Sequence, residues 1–179
     1  FIALTFQSFF ICSCSEKKQV AESKEYPFDN SRAFSYITKM VAFGPRVPGT
    51  DAHKLTLEWL TAKLRETADS VMTQNFTGKI NGKDFPMSNI IASFYPEKKN
   101  RLLLCAHWDS RFKADRDPDP NNHTIPVPGA NDGASGVAVL LEIASSIKAF
   151  PPENGVDIVF FDGEDNGDYG DESGWILGS

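Results

Sequence analysis

The 179-residue chain lacks several features that would narrow its class. It has only 3 cysteines, Cys12, Cys14 and Cys105, so no disulfide framework is implied. Basic charge is short: 18 Lys and Arg stand against 24 acids, for a net charge of −6. With no basic stripe, nothing offers an electrostatic footprint for nucleic acid. Internal repeats and low-complexity tracts are absent. There is no GxGxxG fingerprint and no P-loop, so phosphate cradling is not indicated. Long apolar runs are missing as well. The opening FIALTFQSFFICSC is mostly apolar but about half the length of a bilayer-spanning helix. What remains is ordinary for a packed domain, at 41% hydrophobic and 23% charged.

The chain starts at Phe1, not Met, and stops at Ser179 inside a motif that reads as structured, so truncation at both ends is the expectation. Residues 1–14 resemble the apolar core of a secretory signal without its positive start. Within them, Ile11-Cys12-Ser13-Cys14 is similar to a bacterial lipobox. Ser13 would precede the cleavage point and Cys14 would carry a lipid; Cys12 departs from the pattern. An ordinary cleaved signal and a buried N-terminal strand are the alternatives. Residues 15–27, SEKKQVAESKEYP, read as a polar tether. The expectation is an exported protein of the bacterial cell envelope, either periplasmic or anchored to the membrane as a lipoprotein through Cys14.

Residues 28–179 read as one domain. Asp29, Asn30 and Ser31 offer N-caps to a helix over 32–41. FGPRVPG, residues 43–49, is a loop fixed by two prolines and two glycines. Thr50 and Asp51 cap a helix over 52–67, with Leu57, Leu60 and Leu64 on one face. Strands are predicted over 71–76 and 88–95, with a turn at Asn81-Gly82-Lys83 between them and a charged turn over 96–100. The apolar run 101–106 predicts a strand covered on both faces, with Cys105 an inert core thiol. An acidic, proline-rich loop over 112–128 holds Asp115, Asp117 and Asp119. A helix over 134–148 turns Val137, Leu140, Leu141 and Ala144 inward. A buried strand over 155–162 follows. This order predicts an α/β fold, a three-layer α/β/α domain with a central mixed, mostly parallel sheet.

Three motifs gather acids where strands should end. LLLCAHWDSR (102–111) ends in His107 and Asp109, PGANDGASG (128–136) sets Asp132 in a glycine-rich turn before a helix, and VFFDGED (159–165) runs into Glu164 and Asp165. Ligands bind at the carboxyl ends of strands in open α/β sheets, and carboxylates there suit a divalent metal and a general base. Asp132 reads either as a metal ligand or as a helix N-cap. Glu164 and Asp165 read either as an exposed acidic turn or as a divided pair, one acid on metal and the other facing substrate. Two free carboxylates so close would repel unless a cation neutralised them. His107 reads as a ligand or as a structural histidine that Asp109 could orient. Asp162 is expected to make local backbone bonds, His53 to lie on a helix surface and His123 to have no nameable partner.

Together these motifs resemble the zinc-aminopeptidase-like superfamily and, within it, glutaminyl cyclases of bacterial type. The likeness runs over 28–179 and also rests on FGPRVPGT (43–50), SNIIASF (88–94), ADRDPDP (114–120) and WILGS (175–179). It implies that Asp132 and Asp165 ligate one Zn²⁺ and that Glu164 is general base and acid. His107 matches a position that binds a second metal in dizinc aminopeptidases and usually stays free in the cyclases. The family's third ligand is a histidine well downstream, so this chain alone is expected to bind zinc poorly and to be inactive. The implied substrates are peptides or proteins with an N-terminal Gln, cyclised to pyroglutamate with release of ammonia. The alternatives are a zinc aminopeptidase and a non-catalytic binder of peptide ends.

Overall fold

A computed structural model describes residues 28–168 and 173–179. The signal-like segment, Cys14 and the polar tether lie outside the described residues. The elements are α1 (Asn30–Phe43), α2 (Asp51–Arg65), β1 (Ser70–Ile80), β2 (Lys83–Phe94), β3 (Arg101–His107), a 3₁₀ turn (Pro120–Asn122), α3 (Ala134–Ala149) and β4 (Gly155–Phe161). Asp29 caps α1 by accepting from the Arg32 amide, and Thr50 caps α2 by accepting from the His53 amide, each relieving an orphan donor of the first turn. Asn81 (φ 49°) and Gly82 (φ 75°) form the two-residue turn of the β1–β2 hairpin. That doubly left-handed geometry matches the twist of the strands it joins. No helix among the described residues is long and apolar enough to cross a membrane.

The sheet order is β1-β2-β4-β3. β1 and β4 each pair antiparallel with β2, while β3 and β4 are parallel. The sheet is therefore mixed, as expected, but one of its three pairings is parallel, fewer than expected. Ile90, Ala92 and Phe94 of β2 and Val156, Ile158 and Phe160 of β4 point to one face. There they join Met40 of α1, Leu60 and Leu64 of α2 and Val137, Leu141 and Ala144 of α3 in a single buried cluster. All three helices thus stack on the same side. The described residues supply two of the three expected layers, helices and sheet.

The opposite face explains two corrections. Leu103 and Cys105 of β3 alternate onto it, and β3 pairs only with β4 among the described strands. Leu103 on that face is 63% exposed, and Leu102, on the helix side of this edge strand, is 51% exposed, so the apolar run is not covered on both faces. Cys105 is exposed rather than an inert core thiol. An apolar run specifies burial only once the covering element is in place.

A charged staple joins the first and last helices. Arg32 donates through Nε (2.7 Å) and Nη2 (2.6 Å) to the carboxylate of Glu142, which also accepts from the Asp29 amide at 3.1 Å. The bond to Arg32 holds the Glu142 carboxyl below its ordinary range, against the opposing pull of burial.

Candidate active site

The parallel pairing of β3 with β4 decides where the chemistry gathers. His107 lies opposite Phe161, so both strands deliver their C-terminal residues to one end of the sheet. The Trp108 amide still donates to the Phe161 carbonyl, at 2.9 Å, which carries the ladder one step past the strand. Beyond it the loops diverge, one to Asp109 and the other to Asp162, Glu164 and Asp165. The turn at 129–133 brings Asp132 to the same end, just ahead of α3.

Asp109 ties these loops together. Its fully buried carboxylate accepts from the amides of Glu164 (3.1 Å) and Asp165 (3.2 Å) and from Nδ2 of Asn166 (2.7 Å). Oδ1 also lies 3.3 Å from Nδ1 of His107, as the two-residue spacing predicted. On its other side, His107 Nε2 is 2.9 Å from Asp132 Oδ1. Burial pulls the His107 pKa down, but the bond to Asp109 and the charges of Asp109, Glu164 and Asp132 outweigh it and push the value up to about 9.

Asp132 does not cap α3. The cap position is Gly133, with φ 85° and no side-chain bond, and the Asp132 side chain is 68% exposed toward the site. Asp132 and Asp165 line one cavity of about 310 Å³, together with Arg111 and Asp115. Glu164 instead lines a neighbouring apolar space of about 140 Å³ with His107 and Phe161. The adjacent acids thus line two different spaces. Burial raises the Glu164 pKa, opposed by the charge of His107, 3.8 Å away. Burial raises that of Asp165 as well, opposed by its bond to Arg111. Among the described residues no three acidic, histidine or cysteine side chains converge as a metal cage. Asp132 and Asp165 provide a pair of carboxylates at one cavity.

Several partners were not legible in the sequence. Arg111 donates to Asp165 Oδ1 at 2.9 Å and grips Asp115 with two bonds, of 2.8 and 2.7 Å. Its guanidinium lies 4.9 Å from the ring of Trp175. The four-residue spacing of Arg111 and Asp115 was the available signal. The acidic loop is largely self-satisfied: Asp117 accepts from Asn122 and the Asp119 amide, and Asp119 caps the 3₁₀ turn. His123 finds a partner after all, in the Asp117 carbonyl at 2.8 Å.

His53 and Asp162 correct two expectations. His53 is 5% exposed rather than on the surface. Its Nε2 is 2.9 Å from Asp162, and its ring stacks on Trp108 with centroids 4.3 Å apart. Asp162 makes long-range rather than local bonds. Its carboxylate accepts from the Ser88 amide at 2.7 Å, and its amide donates to Asn89 Oδ1 at 2.9 Å. These bonds fix the start of the loop that carries Glu164 and Asp165 to the floor of the site.

The fold that carries these residues is similar to known proteins. Over 84% of its length the chain superposes on 54% of the crystal structure of Tannerella forsythia glutaminyl cyclase, with TM-score 0.81 and 46% identity. Over 86% it superposes on 55% of a Zn-dependent exopeptidase from Parabacteroides distasonis, with TM-score 0.82 and 44% identity. The glutaminyl-peptide cyclotransferase of Drosophila melanogaster is 30% identical over 128 residues, which are 68% of this chain and 33% of the fly protein. The chain thus spans about half the length of these solved structures and a third of the fly enzyme. The family model of peptidase family M28 matches residues 89–179, just over half the chain and the stretch that holds His107, Asp109, Asp132, Glu164 and Asp165: the chain belongs to peptidase family M28.

Proposed function

We propose that the full-length protein is a zinc-dependent glutaminyl cyclase, which converts the N-terminal Gln of peptides to pyroglutamate. The observation that carries the reading is that the consecutive acids Glu164 and Asp165 line different cavities at the strand ends, Glu164 beside His107 and Asp165 beside Asp132. Identity of 46% to the Tannerella forsythia cyclase supports the reaction class.

Asp132 and Asp165 fit zinc in kind, since both are carboxylates at one cavity and zinc accepts carboxylate oxygen. Each uses Oδ1 toward a protein partner, His107 or Arg111. These two residues would hold the single ion with a third ligand from outside the described residues. When bound, zinc supplies Lewis acidity toward a carboxamide oxygen.

The remaining work falls to Glu164. Its carboxylate takes a proton from the substrate's α-amine. The amine nitrogen attacks the γ-carbonyl carbon of the same residue, a five-membered lactam closes and the bond to the amide nitrogen breaks. Glu164 returns the proton to that nitrogen, which leaves as ammonia. No water is consumed, and an attack within one residue depends mainly on positioning. Burial, which raises the Glu164 pKa, moves it toward the range a general base needs.

A second reading is aminopeptidase action, favoured by the 44% identity to the Zn-dependent exopeptidase. Glu164 would then deprotonate water. One incubation of full-length protein with a Gln-initiated and a Leu-initiated dipeptide separates the two. Cyclisation gives ammonia and a pyroglutamyl product of unchanged residue count. Free leucine without ammonia would replace the cyclase reading with the peptidase one.

A further inference from the structure

Arg46 is a fully buried cation at 0% exposure, and among the described residues no carboxylate pairs with it. Its guanidinium donates instead to three main-chain carbonyls. Nε reaches Trp108 at 2.8 Å, Nη1 reaches Pro128 at 3.0 Å and Nη2 reaches Gly129 at 2.6 Å. The main chain of Arg46 adds a clasp: its amide donates to Ser110 Oγ at 2.8 Å, and its carbonyl accepts from the Ser110 amide at 3.2 Å. One side chain therefore grips both the loop of His107 and Asp109 and the turn that leads to Asp132.

The local backbone is shaped around this grip. Gly129 has φ +65°, and a Cβ there would fall 2.5 Å from Arg46 Nη2 and 2.7 Å from Ser110 Cβ. Gly133 has φ +85°, and a Cβ there would fall 2.5 Å from the Asp109 carbonyl oxygen. Both glycines permit an approach that any side chain would block. A buried guanidinium without a counter-ion is costly, so simple packing would favour an apolar residue at position 46. Burial pulls the Arg46 pKa below its ordinary value, and the charges of Asp109 and Asp132 offset only part of that pull.

We propose that Arg46 is the positioning residue of this site: it clamps the loop of His107 and Asp109 to the turn of Asp132 and so sets the separation of the site's acids. The proposal rests on the reading of Asp132 as a zinc ligand. Loss of an outer partner that holds a ligand in place typically weakens metal affinity about 10–100-fold. Arg46→Lys keeps the charge but cannot bond three carbonyls on two loops, because an ammonium lacks the planar fork. It should therefore fail nearly as badly as Arg46→Met. Gly129→Ala should fail in the same sense with Arg46 intact.

The test uses the full-length protein. The zinc dissociation constant is measured by competition with a chelating dye, and kcat and KM with a Gln-initiated dipeptide, at a temperature where circular dichroism shows each variant folded. Glu142→Gln, remote from the site, serves as the control for lost stability alone. The expected result is zinc binding about 10–100-fold weaker in Arg46→Lys and Gly129→Ala, a fall in kcat larger than any rise in KM, and wild-type zinc binding in Glu142→Gln. If Arg46→Met does not fold, the other two variants carry the test. A wild-type zinc constant in folded Arg46→Lys and Gly129→Ala overturns the clamp. Weakened binding in Glu142→Gln to the same degree overturns it too, since stability alone would then explain the loss. Wild-type protein that binds no zinc defeats the functional reading, and this proposal with it.

Discussion

Glu164 and Asp165 are consecutive, yet one lines the small space beside His107 and the other the larger cavity beside Asp132. This separation makes their substitutions distinguishable. In the full-length protein, Glu164→Gln should retain zinc, because both proposed ligands are untouched, while turnover falls about 10²–10⁴-fold. Wild-type turnover at full metal content would remove Glu164 from its role. Asp132→Ala should abolish tight zinc binding, and metal analysis of the purified variant decides it; stoichiometric zinc would leave Asp132 as a mere partner of His107. The acids themselves were legible in the sequence because strand ends and glycine turns announce them. His53 was not. Its partner Asp162 is 109 positions away, and a histidine on a polar helix stretch carries no local sign of so distant a carboxylate. Arg46 was hidden for the same reason: FGPRVPG reads as a loop, and its acceptors lie 62 to 83 residues downstream.

Between elements, the staple of Arg32 and Glu142 is the clearest electrostatic link, because α1 touches the rest of the fold mainly through α3 and α2. Glu142→Gln removes the charge from all three bonds that the carboxylate accepts and replaces one oxygen with an amide nitrogen that cannot accept. Charge-assisted bonds contribute about 1.5–3 kcal/mol, and the Arg32 side chain is 46% exposed, so a loss of about 1–2 kcal/mol is expected after screening. The pH dependence follows from the direction of the shift. The Glu142 carboxyl is held below its ordinary value in the folded state. Its contribution is complete above the ordinary carboxylate range and fades as pH falls through the lowered folded value. Urea titrations should therefore show a deficit for Glu142→Gln that is constant near neutrality and shrinks in acid. A deficit that grows in acid would contradict the staple. Helices α1 and α2 were readable from their caps, and α3 from its apolar spacing. The hairpin strands run longer than expected, up to the turn itself, because Thr77-Gly78-Lys79 and Lys83-Asp84 look like loop until their ladder partners are known.

At the scale of the whole molecule, the asymmetry of the sheet dominates. Among the described residues three helices cover one face, while the other shows Met72 at 58% and Leu103 at 63% exposure beside Cys105. β3 also offers an apolar edge, and exposed apolar edges template association. The 179-residue chain, expressed as it stands, should self-associate with rising concentration in sedimentation experiments. Leu103→Lys should shift it toward monomer, and an unchanged distribution would clear β3 of the role. This openness was not legible in LLLC, where composition alone implies burial. Trp108 offers the opposite case. It is fully buried, stacks on His53 of α2, donates to the Ser88 carbonyl of β2 and follows directly on β3. Its indole touches helix and sheet at once, and the residue that follows it is Asp109 of the site. With Trp59 and Trp175 replaced by Phe, its ultraviolet emission becomes a gauge: short in wavelength while helix and sheet stay closed beneath the loops, and red-shifted once water reaches the indole.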